Sequence, residues 1–289
     1  MNDSLLKTNK ESSFWSGIDA VLIINLDHRI ERWEQLRAES EGLIPPEKLH
    51  RVPAVLGSKI PGFGKAPWFR GGDRANTWAG RGGCVLAHRR ALETARQAGW
   101  EQILILEDDA TFETDFVTHL DALKTALFES HPKWDVCFLG FTHPQGPFRT
   151  LARFSNDHHL AQIYGCKCTH AYMVNARVRD WLLGQLPDES TIWNWLAVNR
   201  AIDRWYQTML GRRFKILAVS PSLVAQRGDF SDIVCRVTDH FAEGSSDLSI
   251  PVTLETPAYA LRYFMRTQAN RFGRLYNYLS AWRKRLSGF

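Results

Sequence analysis

The sequence predicts an α/β fold: a mostly parallel central sheet flanked by helices, closed by an amphipathic helical tail. Three observations carry this. Short continuous apolar runs recur at 19–25, 103–106, 135–139 and 214–219, the pattern of strands buried on both faces. Helix-like stretches alternate with those runs, as in sheets built from strand–helix–strand units. From 257 onward, apolar and aromatic residues return at helical spacing.

Residues 1–18 read as a polar leader, 19–250 as the folded domain and 251–289 as a basic amphipathic tail. The first strand, 19–25, is followed by a charged helix over 30–40, ended by Gly42 and Pro45-Pro46. Residues 50–55 suit a second short strand. The stretch 57–83 holds eight glycines and reads as a long irregular segment, a kind of loop that usually serves function. A helix over 84–98 ends at Gly99, and Ile103–Leu106 forms a strand that stops at three acidic residues. Further helices are expected over 115–128, 176–186 and 191–210, and further strands over 135–139, 170–174 and 214–219.

Composition is that of an ordinary globular protein, 44% hydrophobic and 23% charged, which excludes a disordered chain. The net charge of +5 is concentrated in the tail. From Glu255 the chain holds Arg262, Arg266, Arg271, Arg274, Arg283, Lys284 and Arg285 against one acid, so the body is close to neutral. That distribution argues against a nucleic-acid-binding enzyme, which carries its positive charge on the folded domain. The five cysteines are odd in number and no apolar signal-peptide core lies in residues 1–16. Reduced thiols and a cytoplasmic location are therefore expected. Cys166-Lys-Cys168 lacks the second pair of a zinc site, and His158-His159 lacks a third ligand.

Glu107-Asp108-Asp109 is the sharpest chemical signal, because it lies where a buried strand ends and ligands of open α/β sheets bind there. Three adjacent carboxylates ask for a cation, and a divalent ion bridging them to a diphosphate would neutralise both. Asn25, Asp27, Arg29 and Arg32 cluster at the exit of the first strand. Arg pairs bidentately with phosphate, and Asn or Asp bonds a base or ribose edge. No Gly-x-Gly-x-x-Gly or Walker pattern is present, which argues against dinucleotide enzymes and P-loop kinases.

In order along the chain, Ile24-Asn25-Leu26-Asp27 with Arg29 and Arg32, Gly83-Cys84 with His88, and Leu106-Glu107-Asp108-Asp109 resemble glycosyltransferase family 25. This family includes bacterial lipooligosaccharide galactosyltransferases and the collagen galactosyltransferases. Thr169-His170-Ala171-Tyr172 with Asn175, Asp203, Pro221-Ser222-Leu223, Gln226 and Ser231-Asp232-Ile233 extend the resemblance over about 19–235. It implies a GT-A type nucleotide-sugar-binding fold, a UDP-sugar donor (commonly UDP-galactose), Mn²⁺ or Mg²⁺ at Glu107 and Asp109, and inversion at the anomeric carbon. Asp203 is then the candidate general base, with Asp109 and His88 beside it in the catalytic set. Asn25, Asp27, Arg29, Arg32, Glu107 and Asp108 are candidates for the donor nucleotide. Gly83, Cys84, Tyr172, Gln226 and Ser231 are candidates for other substrate contacts. Two features depart from the family: Ala87 precedes His88 where Ser is usual, and Trp68, Phe69, Arg70, Arg74 and Trp78 enrich the glycine segment, which reads as an acceptor lid.

The implied acceptor is a glycan, lipid-linked if the tail lies on an anionic membrane, as in lipopolysaccharide assembly. Leu275, Tyr278, Leu279, Trp282 and Leu286 with neighbouring arginines fit a helix lying on such a surface at the inner face of the cytoplasmic membrane, a reading favoured over a helix docked on the domain. Two other classes stay open: a metal-dependent nucleotidyltransferase and a non-catalytic glycan-binding relative.

Overall fold

The computed structural model describes residues 12–69, 74–155, 157–231, 236–238, 250–253 and 258–287. Strands β1 (Ala20–Asn25), β2 (Leu49–Pro53) and β3 (Gln102–Glu107) run parallel, and helix α1 (Ile30–Glu39) connects the first two. Helix α2 (Arg74–Ala98) leads into β3, and the short β4 (Ala110–Phe112) follows it. Helix α3 (Phe116–Lys124) continues as a π-helical turn to Glu129 and leads to β5 (Val136–Gln145). After β5 come β6 (Arg149–Arg153), β7 (His159–Ile163) and β8 (Gly165–Asn175). Helices α4 (Ala176–Gln185), α5 (Ile192–Asn199) and α6 (Ile202–Met209) precede β9 (Ile216–Ser220). The short strands β10 (Val224–Gln226), β11 (Asp229–Ser231) and β12 (Arg236–Thr238) come before the last helix, α7 (Tyr259–Ser287).

The main sheet has the order β2-β1-β3-β8-β5-β9-β7-β6 and is mixed. Its first three strands are parallel, as is β5 with β9, while β8 runs antiparallel between β3 and β5. Both faces are covered, and successive residues alternate between two cores. Leu22 and Ile24 of β1, Ile103 and Ile105 of β3, and Tyr172 and Val174 of β8 face α2, α4, α5 and α6. Val21 and Ile23, Leu104 and Leu106, and Ala171 and Met173 face α1 and α3 on the other side. This is why the strands read as unbroken apolar runs. Phe14, Trp15 and Ile18, at the end of the polar leader, insert into the second core.

Three expectations need correction. Helix α2 starts ten residues before the expected Cys84, so Gly80, Gly82 and Gly83 are helical and not part of a loop. Close packing is what they serve: a Cβ on Gly83 would fall 2.2 Å from the Val55 carbonyl oxygen. Strand β5 runs past Gly140 to Gln145, and two strands not expected from the sequence follow it, β7 beside β9 and β6 at the sheet edge. Trp68 and Phe69 are buried rather than offered as a lid, with Trp68 bonded to Asn194 and Phe69 packed on Trp193. Arg70, Asp232, Ile233 and Cys235 lie outside the described residues, as do the side chains of Arg74, Ser231 and Leu286.

Two glycines separate packing from propensity. At Gly57 an added Cβ would sit 1.7 Å from the Ala79 carbonyl oxygen, so the segment before α2 cannot keep its position. Gly57→Ala is expected to lose about 3 kcal/mol or more. Gly184, inside α4, has nothing within 4 Å of an added Cβ, and Gly184→Ala should gain about 0.5–1 kcal/mol. Urea melts of the two variants check this; equal effects would contradict the close approach.

Candidate active site

The parallel arrangement of β1, β2 and β3 brings three strand ends to one edge of the sheet. Register places Ile24 beside Glu107 and Asn25 beside Pro53, and the Ala54 amide donates to the Asn25 carbonyl at 2.8 Å. Above this edge opens a cavity of about 280 Å³. Glu107, Asp108 and Asp109 line one side with Arg32, and Ile24, Leu26, Val55 and Phe63 form an apolar wall. Gly80, Gly83, Cys84, Ala87 and His88 line it from α2, at the three- and four-residue spacing that keeps side chains on one helix face. The absence of bulk on that face leaves the space open.

Each carboxylate has its own surroundings. Asp108 is buried and anchored: it accepts from Asn25 Nδ2 at 2.8 Å and from Arg32 Nη1 at 3.1 Å. Burial raises its pKa, and the Asn25 and Arg32 contacts partly offset this. Asn25, 1% exposed, also donates to the Arg29 carbonyl and accepts from Arg51 Nε. Glu107 accepts from Thr169 Oγ1 at 2.8 Å and lies 3.2 Å from His88 Nε2. Burial works to raise its pKa, but the His88 and Thr169 contacts outweigh it and hold the carboxyl below its ordinary value.

Asp109 differs. Its contacts to Gln226 Nε2 are long, 3.4 and 3.5 Å, and burial with the neighbouring charges of Glu107 and Asp108 pushes its pKa up to about 7. The pairing of β4 with β10 brings Gln226 there, opposite Ala110. Such a carboxyl gains most from a cation at the cavity.

His88 is fully buried between Glu107 and Tyr172, whose hydroxyl is 3.0 Å from Nδ1. Either ring nitrogen can carry the proton: donation to Glu107 leaves Nδ1 accepting from Tyr172, and the reverse frees Nε2 as a ligand. Cys84, one helical turn before His88, completes a group with His88 and Glu107 whose ligand atoms lie within 4.8 Å of one another. Burial, then Glu107, Asp203 and Asp109, raise the Cys84 thiol pKa well above its ordinary value.

Most of the expected site residues therefore converge. Arg32, Gly83, Cys84, His88, Glu107, Asp108 and Asp109 line the cavity, while Asn25, Tyr172 and Gln226 support it from behind. Asp203, in the first turn of α6, lies outside the lining but close enough to act electrostatically on Cys84 and Cys168. Asp27 and Arg29 point elsewhere: Asp27 pairs with Arg51 at 2.7 Å, and Arg29 with Glu31 at 3.4 Å. Sequence reasoning missed Arg51, which ties Asn25 to Asp27, because nothing near it in the sequence marks a site. Cys168 bonds Thr142, and burial lifts its pKa to about 12, so it is a structural thiol.

Comparison with known proteins supports the family resemblance over part of the chain. Residues 18–136 match the profile of Glycosyltransferase family 25 (LPS biosynthesis protein). This stretch contains the whole cavity lining from β1, α2 and β3. A curated relative, "Probable inactive glycosyltransferase 25 family member 3" of Bos taurus, is 26% identical over 130 residues, covering 43% of this chain. The match spans 22% of the length of that relative. Among solved structures, a mannose-1-phosphate geranyltransferase from Thermus thermophilus aligns over 69% of this chain and 72% of its own. With 12% identity and a TM-score of 0.34, it carries no argument about function.

Proposed function

We propose, from the family pattern in residues 18–136, that this protein transfers a hexose from a UDP-sugar, galactose first among candidates, to a glycan acceptor. The observation that supports this most is the carboxylate side of the cavity, where Asp109, just past the end of β3, has only long contacts to Gln226. The apolar wall of Leu26, Val55 and Phe63 suits a nucleoside, and Arg32 a phosphate oxygen. Glu107 and Asp109 are hard oxygen donors and fit Mn²⁺ or Mg²⁺, which would supply charge neutralisation for the leaving diphosphate.

Within this reading, Asn25 and Arg32 hold Asp108, and Asp108 fixes the turn that aims its two neighbours. Thr169 and His88 orient Glu107. Inversion by direct displacement needs one base at the acceptor hydroxyl. Asp203 serves as that base: it accepts a proton at a carboxylate oxygen while the sugar is transferred. Lipopolysaccharide or another cell-surface glycan is the acceptor class in keeping with the family.

The tail adds a location. Helix α7 docks on the domain through Tyr263, Arg266 and Ala281, whereas its apolar residues face outward. Leu261, Met265, Phe272, Leu275, Leu279 and Trp282 are all exposed, Phe272 at 71% and Trp282 at 65%. Arg262, Arg271, Arg283 and Arg285 are exposed alongside them. An outward apolar stripe with basic flanks complements an anionic lipid surface. Among the described residues no helix is long and apolar enough to cross a membrane. In this proposal the stripe lies along the surface, at the inner face of the cytoplasmic membrane.

Thermal-shift titration with UDP-sugars tests the donor assignment. Stabilisation by a UDP-sugar that requires Mn²⁺ or Mg²⁺ is the expected result, with UDP-galactose the most effective. Incorporation of a nucleotide into product would instead indicate a nucleotidyltransferase. A well-folded protein that ignores every UDP compound would favour a non-catalytic role, the condition named for the Bos taurus relative.

A further inference from the structure

A second cavity, of about 390 Å³, lies between α6 and α7. Lys167 of β8, Arg200, Arg204 of α6 and Arg274 of α7 line it, and no acidic residue shares the lining among the described residues. Asn270 lines it too, and its Nδ2 is a buried donor without an acceptor. Gathering four cations around one space is unfavourable unless an anion answers them. Neighbouring arginines sense these charges as a lesser effect after burial. Burial, then the charge of Arg204, depresses the pKa of Arg81, and burial, then Arg271, depresses that of Arg212, with Arg274 adding to it.

The cavity also has a defined relation to the chemistry. Arg204 follows Asp203 directly, and its amide donates to Asp203 Oδ1 at 2.7 Å. Lys167 lies two residues before Thr169, which holds Glu107. The carboxylates of the first cavity repel a metal-free anion, whereas this one attracts it. Its outer wall is α7, the helix whose other face carries the apolar stripe.

We propose that the cavity between α6 and α7 is a phosphate-binding subsite, with Lys167, Arg200, Arg204, Arg274 and Asn270 holding a phosphate group carried by the acceptor. The subsite shares α6 with Asp203, so an acceptor held by its phosphate is anchored on the helix that carries the base. The acceptor assignment rests on the glycosyl-transfer reading; the affinity for phosphate does not.

Inorganic pyrophosphate is the probe, titrated calorimetrically into the full chain in metal-free buffer. Wild type is expected to bind it, and the double variant Lys167→Gln/Arg204→Gln to bind at least about tenfold more weakly. Thermal melts and UDP-sugar binding with Mn²⁺ verify that the variant keeps its fold and donor cavity. No binding by wild type, or equal binding by the variant, overturns the subsite. Vesicles of phosphatidylcholine with phosphatidic acid separate the two sources of phosphate. With Phe272→Glu/Trp282→Glu removing the contact through the stripe, vesicle binding that pyrophosphate displaces indicates a lipid-attached group, and no vesicle binding beside intact pyrophosphate binding indicates a soluble acceptor. Pyrophosphate binding without any UDP-dependent transfer would leave the subsite standing and remove the glycosyltransferase reading. The reverse pair of results would remove the subsite alone.

Discussion

Asp109→Asn is expected to abolish sugar transfer, by at least about a thousandfold, while making the metal-free protein more stable at neutral pH. The two effects have one cause. Asp109 is pressed against Glu107 and Asp108 in a buried corner, and its pKa rises from 3.8 to about 7. Between these values the folded protein keeps a proton that the unfolded chain releases. The contribution of Asp109 to stability is therefore most favourable below about pH 4 and is lost as pH rises to about 7. The rise in pKa caps the cost of ionising Asp109 in the fold at about 4 kcal/mol. The carboxyl borders an open cavity, so about half of that is expected, or roughly 4–8 °C in Tm. Asparagine removes the charge and keeps a partner for Gln226, so the pH dependence between 4 and 7 should flatten. The same site should bind Mn²⁺ more tightly as pH rises toward 7, since the cation displaces the proton. Wild-type turnover by the variant would remove Asp109 from the metal site. An unchanged melting curve would show that the three carboxylates do not repel one another.

The second large effect is expected at α7. Phe272→Glu/Trp282→Glu should leave the melting temperature within about a degree of wild type, because both rings are mostly exposed. Binding to vesicles containing phosphatidylglycerol should fall at least about a hundredfold. Each ring contributes about 1.5–3 kcal/mol when it leaves water, and each new carboxylate is repelled by the anionic surface. Raising salt should weaken wild-type binding, since the flanking arginines act through screened charge. Co-sedimentation measures both. A wild-type chain indifferent to anionic vesicles would sink the membrane assignment. If it is also a dimer that the double variant breaks, a second copy covers the stripe.

Much of this architecture is written locally. Strands β1, β3 and β9 are legible because residues buried on both faces leave an unbroken apolar run. The acidic triplet after β3 is legible because charge is costly beside such a run unless it has a task. Hidden from the sequence are facts that depend on distant neighbours. The glycines of α2 look like a loop because their purpose, contact with the backbone at Val55 and with Trp193, lies elsewhere in the chain. The unequal roles of Glu107, Asp108 and Asp109 come from Thr169, Asn25 with Arg32, and Gln226, placed by three different elements.

The helical period of α7 is likewise plain in the sequence, but which face meets the domain is not. Composition favours burying the apolar stripe, yet the docked face carries Tyr263, Arg266, Asn270 and Arg274, and the stripe points outward. Period and hydrophobicity are local properties, so the sequence by itself determined strands such as β1, β3 and β9, the acidic strand end and the amphipathic tail. Orientation and the charge state of each carboxylate depend on what packs alongside, and only the tertiary structure decided those.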